Sequence, residues 1–421
     1  MARQDATTDS PPVRLAIVGH VDHGKSTLIG RLLHDTGSLP ESVLARVQEA
    51  SRDADRPQLE FITDHLAEER REAKTIDTTQ VFFQHAGRRY VIIDTPGHAA
   101  FVKNMFTGAS RADAALVVVD VAEGVREQTL AHCNVLGLLG IGRVVPVINK
   151  LDRRGYSQAA FESTAESVRA RLGELDVSTG EAVPLSALHG ENVAAPPERM
   201  PWYDGPTLLD VLAAVSAPVE PTGRPLRFAV QGAYETNDAL LYLGRVEAGT
   251  IRRGQDVRVL PAGDEDRVDA VRVWGGELDA AGAGRSVGIA LAGGLEQARS
   301  AVVCDPADRP DVSETLTGRV FWMGDRPLQR GESVEARVTT QEVPAEVRAI
   351  RNAFHSGGPD AVRPQAGHLA YGEIGLVTLA LDAPLVCEPF SRETGLGTFV
   401  IARSGNVVGA GTVPDPADDT A

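Results

Sequence analysis

The sequence predicts an α/β domain, its mostly parallel sheet covered by helices on both faces, followed by two all-β domains. Three observations predict it. Short apolar runs alternate with helical patterns as far as about residue 216, the signature of strands joined by helical crossovers. A stiff Pro-rich stretch, Ala217 to Pro225, then breaks the pattern. Beyond it, short runs of alternating polarity punctuated by Gly and Pro continue to residue 413, as in barrels or sandwiches.

The elements follow in order. Residues 1–13 read as a flexible tail, since MARQDATTDSPP has no apolar core and no secretory signal. Residues 14–19 (RLAIVG) form a buried strand ending in Gly, and a helical pattern runs from Lys25 to about His34. Residues 79–85 and 89–94 flank the turn Ala86-Gly87-Arg88 and read as a hairpin. Residues 114–120 (AALVVVD) and 143–148 (RVVPVI) are buried strands, with helical stretches near 127–139 and 156–172. A short strand at 182–185 and a helix at 207–215 complete residues 14–216. Residues 217–225 are the linker, 226–312 the first β domain and 313–413 the second. That boundary rests on the Pro- and Asp-rich run Asp305–Asp311, and residues 414–421 form an acidic tail.

Composition narrows the function classes. The 421 residues carry 42 Lys and Arg against 58 Asp and Glu, a net charge of −16. Split after Arg224, the halves carry −7 and −9. Passive binding to DNA or RNA through bulk positive charge is therefore disfavoured. No run of about 18 apolar residues is present, so no membrane helix is expected. The cysteines, Cys133, Cys304 and Cys387, are far apart and odd in number. That argues against a disulfide framework or CxxC metal site and for a reducing cytoplasm.

Four motifs carry chemistry. Gly19-His20-Val21-Asp22-His23-Gly24-Lys25-Ser26-Thr27 fits the phosphate-binding loop G-x-x-x-x-G-K-[ST], with a strand before it and a helix after. Its backbone N–H groups would cradle phosphate oxygens, Lys25 would neutralise them, and the Ser26 hydroxyl would bind Mg2+. Asp94-Thr95-Pro96-Gly97-His98 ends an apolar strand. There Asp94 would hold a Mg2+-bound water, Gly97 N–H would meet the γ-phosphate, and His98 would orient the attacking water. Asn149-Lys150-Leu151-Asp152 follows the strand at 143–148. Asp152 can accept the N1–H and exocyclic amine of guanine, a donor pair adenine lacks, so it would reject ATP. Asn149 would bond the base edge or brace the loop, and the Lys150 stem would stack on the base. Ser186-Ala187-Leu188, after the last strand, would support Asp152 through backbone N–H groups. Together these mark a GTPase that binds GTP and Mg2+. Thr75, before the hairpin, is the candidate switch residue, facing Mg2+ and the γ-phosphate. The metal set is then Ser26, Thr75 and Asp94, and the catalytic set His98, Lys25 and Thr75.

The motif order, the insert before Thr75 and the two β blocks resemble the translation-factor GTPase superfamily, with elongation factor Tu and elongation factor 1-alpha as familiar members. A closer likeness is to the GTPase (large) subunit of bacterial sulfate adenylyltransferase. It is carried by STLIGRLLHDTG (26–37), KTIDTTQVFF (74–83), MPWYDGPTLLDVL (200–212), WMGDRPLQRG (322–331), GEIGLVTLALDAPLV and GTFVIARSGNVVGAGTV. The likeness covers nearly the whole chain. It implies a P-loop GTPase domain with two β-barrels. The activity implied is GTP hydrolysis coupled to formation of adenosine 5′-phosphosulfate and pyrophosphate from ATP and sulfate. The adenylyl transfer would belong to a partner small subunit, in a heterodimer or larger assembly. Together with the charge, hydropathy and cysteine readings above, the expectation is a cytoplasmic protein with no DNA or membrane partner and with RNA disfavoured. Two other readings are a GTPase switch that delivers an RNA, and a divergent sulfur-pathway GTPase with a different partner.

The chain departs from that family at two places. Ala73-Lys74-Thr75 stands where the family usually has Gly-Ile-Thr, so Lys74 replaces the apolar residue that in related factors forms a gate with Val21. Val21-Asp22-His23 stands where the sulfate family often has Val-Asp-Asp. No second P-loop follows, so the adenylylsulfate kinase domain fused in some relatives is not expected.

Overall fold

The computed structural model describes residues 12–39, 80–94, 112–139, 141, 143–173, 179–215, 223–236, 240–294, 300–392 and 394–415. Two compact units divide the chain: Met1–Pro218 with Ser356–Gly358, and Val219–His355 with Pro359–Ala421.

The first unit is built on β1 (Val13–Val18), α1 (Lys25–Asp35), β2 (Gln80–His85), β3 (Arg88–Asp94), β4 (Ala114–Asp120), α2 (Glu127–Leu138), β5 (Val144–Asn149), α3 (Gln158–Gly173), β6 (Val183–Pro184) and α4 (Leu208–Ala213). Its six-stranded sheet has the order β2-β3-β1-β4-β5-β6. All neighbours are parallel except the β2–β3 hairpin. Ala86 and Gly87 turn that hairpin with φ 50° and 74°, the left-handed pair that matches strand twist. Every residue of β4 is buried, as a strand covered on both faces requires. Leu15, Ile17, Leu28, Ile29, Leu32, Leu116, Val118, Val145 and Val147 form the heart of the core. In α3 the buried Thr164, Ala165, Val168 and Leu172 make one stripe at helical spacing. The α4 helix starts at a capping box in which Thr207 and Asp210 satisfy each other's backbone N–H groups. From β1 the sheet runs to β3 on one side and β4 on the other, which opens a crevice beyond the carboxyl end of β1.

The second unit holds two closed β structures. The first uses β7 (Arg227–Glu235), β8 (Leu240–Ala248), β9 (Thr250–Arg252), β10 (Asp256–Leu260), β11 (Asp264–Val273), β12 (Gly276–Leu278), β13 (Ala280–Gly282), β14 (Ser286–Leu291) and β15 (Val302–Cys304). Its order is β10-β15-β7-β8-β14-β11-β12, and β10 pairs with β11 to close a ring of six. The second uses β16 (Asp311–Trp322), β17 (Leu328–Gln329), β18 (Ser333–Val338), β19 (Gln341–His355), β20 (Gly358–Gln365), β21 (His368–Leu369), β22 (Glu373–Cys387), β23 (Thr398–Arg403) and β24 (Asn406–Thr412). Its order is β18-β23-β24-β16-β22-β19-β20, and β18 pairs with β19 to close it. Phe228, Tyr242, Val257 and Ile289 lie in the first core. Trp322, Leu379, Phe399 and Ile401 lie in the second. A buried ion cluster lies within this unit. Arg227 donates to Asp308 and Glu388, each at 2.6 Å, and the Thr394 hydroxyl donates to the other Glu388 oxygen at 2.8 Å.

The fold is therefore an α/β P-loop domain followed by two all-β barrels. Among the described residues no helix is long and apolar enough to cross a membrane. All three cysteines are buried and free.

Candidate nucleotide-binding site

The site begins where β1 ends. Gly19 has φ 147°, and a Cβ there would lie 2.3 Å from the Val118 carbonyl oxygen. Gly24 has φ 90°, and its Cβ would lie 2.5 Å from Asn149 Nδ2. A side chain at either position would collide with a fixed neighbour in a conformation L-residues avoid. Between them the chain turns back and enters α1 at Lys25.

Several side chains hold the loop. Lys25 Nζ donates to the carbonyls of Gly19 and His20, each at 2.8 Å. Gly19 N–H donates to His132 Nδ1 at 3.3 Å and Val21 N–H to Gln128 Oε1 at 3.1 Å, both acceptors on α2. His23 is wholly buried, with Nδ1 3.2 Å from the Val118 carbonyl. The end of α1 has no side-chain cap and no acidic residue in its first turn. The positive dipole end of the helix thus faces the turn from Gly19 with no acidic side chain of its own first turn to offset it. That observation fits a phosphate tail.

Asn149 ends β5 and joins three segments. Its Nδ2 donates to the His23 carbonyl at 2.9 Å. Its Oδ1 accepts from Lys150 N–H at 2.7 Å and Ala187 N–H at 3.0 Å. Of the two roles sequence allowed, this geometry is the brace. Lys150, with φ 62°, donates to the Asp22 carbonyl and lies 3.1 Å from Asp120. Asp152 Oδ1 accepts from the Ser186 hydroxyl at 2.6 Å. The serine supports Asp152 through its side chain, because the Ala187 amide is already committed to Asn149.

Sequence reasoning missed four residues here. Arg31, on α1, donates to the carbonyls of Ala187 and Leu188 at 3.0 and 2.8 Å, clamping the 186–188 loop to the helix that follows the phosphate loop. Gln128 and His132 hold loop amides. Asp120, fully buried at the end of β4, accepts from Ala122 N–H at 2.8 Å and pairs with Arg153 at 3.0 Å. Burial works to raise its pKa, but the Ala122 amide, Lys150 and Arg153 prevail and hold it below the ordinary carboxylate range. A carboxylate closing the run VVVD was the one signal available.

The remaining expected residues divide by position. Ser26 is exposed in the first turn of α1. Asp94 ends β3, its backbone in register with Ile17 of β1. Thr75, Thr95, Pro96, Gly97 and His98 lie outside the described residues, as does Lys74.

Residues 10–218 match the family described as "Elongation factor Tu GTP binding domain". Residues 315–414 match that described as "GTP-eEF1A C-terminal domain-like". "Sulfate adenylyltransferase subunit 1" of Citrobacter koseri is 36% identical, covering 97% of this chain and 87% of that protein. The protein of the same name from Aeromonas hydrophila is 35% identical, covering 95% and 86%. That from Erwinia tasmaniensis is 36% identical, covering 97% and 87%. The two domain matches flank the first barrel, and the relatives, covering 95–97% of the chain, extend across it. The chain belongs to the sulfate adenylyltransferase subunit 1 family, whose members carry a translation-factor GTPase domain.

Proposed function

We propose that this chain binds GTP with Mg2+, hydrolyses it, and couples that hydrolysis to adenosine 5′-phosphosulfate synthesis by an adenylyl-transferring small subunit. The single observation that carries the reading is the link through Asn149, which joins the loop around His23 to the segment that presents Asp152 and Ser186. A phosphate cradle and a guanine-reading carboxylate on one brace suit a guanosine triphosphate. We assign residues 14–216 to the GTPase domain, 217–225 to a linker, and 226–312 and 313–413 to the barrels.

In this reading the amides of residues 19–27 and Lys25 bind the β- and γ-phosphates. Asp152 takes the N1–H and exocyclic amine of guanine, with the Ser186 hydroxyl fixing its rotamer. Asp94 to His98 read the γ-phosphate, and His98 orients the attacking water. That water's oxygen bonds to the γ-phosphorus while the bond to the β–γ bridging oxygen breaks, releasing GDP and phosphate. Ser26, Thr75 and Asp94 would hold Mg2+, a hydroxyl and carboxylate set suited to a hard cation; when bound it neutralises the phosphate charge.

The test is co-purification with the native partner, followed by pyrophosphate release from ATP and sulfate with and without GTP. Release that rises with GTP supports the reading. Release indifferent to GTP, or co-elution of aminoacyl-tRNA in place of an adenylyl transferase, refutes it.

A further inference from the structure

Among the described residues, His20, His23 and Glu123 bring one ligand atom each to within 4.8 Å of one another. They come from two segments. The histidines belong to the phosphate loop, and Glu123 to the turn after β4. His23 is 0% exposed. Its Nδ1 lies against the Val118 carbonyl, so Nδ1 carries the proton and Nε2 the lone pair. That Nε2 is buried without a hydrogen-bond partner and faces Glu123 Oε2 at 3.6 Å. A lone pair facing a carboxylate oxygen is unfavourable unless something positive lies between them. His20 likewise places its Nδ1 2.6 Å from a backbone carbonyl, that of Val21. An imidazole that gives one N–H to a backbone carbonyl and keeps the other nitrogen bare is the usual pose of a metal-bound histidine.

The geometry points to a transition-metal site of the Zn2+ class formed by His20, His23 and Glu123 on the rim of the phosphate loop. Two imidazole nitrogens and one carboxylate are the His2Glu set that binds Zn2+ with an open fourth position. The donors are too soft a set for Mg2+, so this site is separate from the one assigned to Ser26. The ion would tie the loop carrying His20 and His23 to the segment after β4. The inference does not depend on which reaction the nucleotide drives.

The test uses the full chain, stripped of metal and kept in Mg2+. Zn2+ is titrated by calorimetry, and Co2+ is used as a spectroscopic probe. The expected result is one saturable Zn2+ equivalent and a Co2+ visible band of nitrogen–oxygen coordination. Glu123→Gln, at a partly exposed position, should bind Zn2+ about tenfold more weakly or worse, while its GTP affinity stays at the unaltered level. His20→Asn should lose the Co2+ band. Absence of Zn2+ uptake overturns the site, as does uptake unchanged in both variants. Nitrogen-15 spectra of the metal-free chain showing His23 Nε2 protonated at neutral pH would also overturn it, since the pair would then be an imidazolium and a carboxylate. If guanine-nucleotide binding failed while Zn2+ bound, only the proposed function would fall.

Discussion

Asn149 Nδ2 donates to the carbonyl of His23 at 2.9 Å, across 126 positions of sequence. One amide thereby ties the middle of the loop between Gly19 and Lys25 to the end of β5, where the segment Asn149–Asp152 starts. The buried Asn149 side chain has every described bond inside this junction.

Asn149→Ala should therefore weaken GTP and GDP together. It removes the bond to His23 and leaves the N–H groups of Lys150 and Ala187 without their acceptor, each at about 1–3 kcal/mol. Affinity for both nucleotides should fall about tenfold or more, with a lower melting temperature. Fluorescent-nucleotide titration checks it; a selective loss of one nucleotide would contradict the brace.

Asp152→Asn should turn preference from GTP toward xanthosine triphosphate, since the amide donates where the carboxylate accepted. The ratio of the two affinities should move by about 100-fold or more. Ser186→Ala, which frees the Asp152 rotamer, should cost only about 1 kcal/mol of guanine affinity. Competition binding reads both.

The buried His23 ring gives a stability signature in acid. Burial foremost sets its pKa below 6.5, against the raising pull of the Val118 carbonyl and Glu123. Above pH 6.5 the ring is neutral in folded and unfolded chains, and the full stability is present. As pH falls below 6.5 the unfolded chain takes the proton first, so stability is lost down to the folded pKa. Urea unfolding in chelator from pH 7.5 to 5 should show this slope, and His23→Gln should flatten it.

The three thiols should be inert while the chain is folded. Burial pushes Cys133 up to about 12 and Cys304 and Cys387 up to about 11, so the thiolate is scarce at pH 8. A disulfide reagent should find three reactive groups after denaturation and none before.

Arg227→Ala should destabilise the second unit by about 3–5 kcal/mol, because it strands Glu388 and Asp308 without their cation. Arg227→Met with Glu388→Leu should recover most of the loss. A double variant no more stable than Arg227→Ala would show that packing around the guanidinium, rather than charge, is what the cluster supplies.

The phosphate loop and the Asn149–Asp152 segment were legible because their chemistry fixes local spacing. Gly19 and Gly24 are demanded by backbone turns, and Asp152 falls three residues beyond the end of the β5 strand pattern. Residues that act at long range were not legible. Gln128 and His132 reach the loop from α2, in which eight of twelve residues are buried, so no polar stripe sets them apart. Arg31 looks like any helix cation until Ala187 is seen beside it. In the barrels the strands could be read from alternation and turns. The closing pairs β10–β11 and β18–β19 could not, because closure is a property of the ring and not of any strand in it.

Closure of the two rings has a further consequence. Each ring strand is paired on both sides, which leaves β12 and β20, each bonded to a single neighbour, as the margins onto which a foreign strand could add. Elsewhere on the rings a companion protein would meet outward side chains. Its preference can then drift one substitution at a time, while the hoops beneath keep their shape.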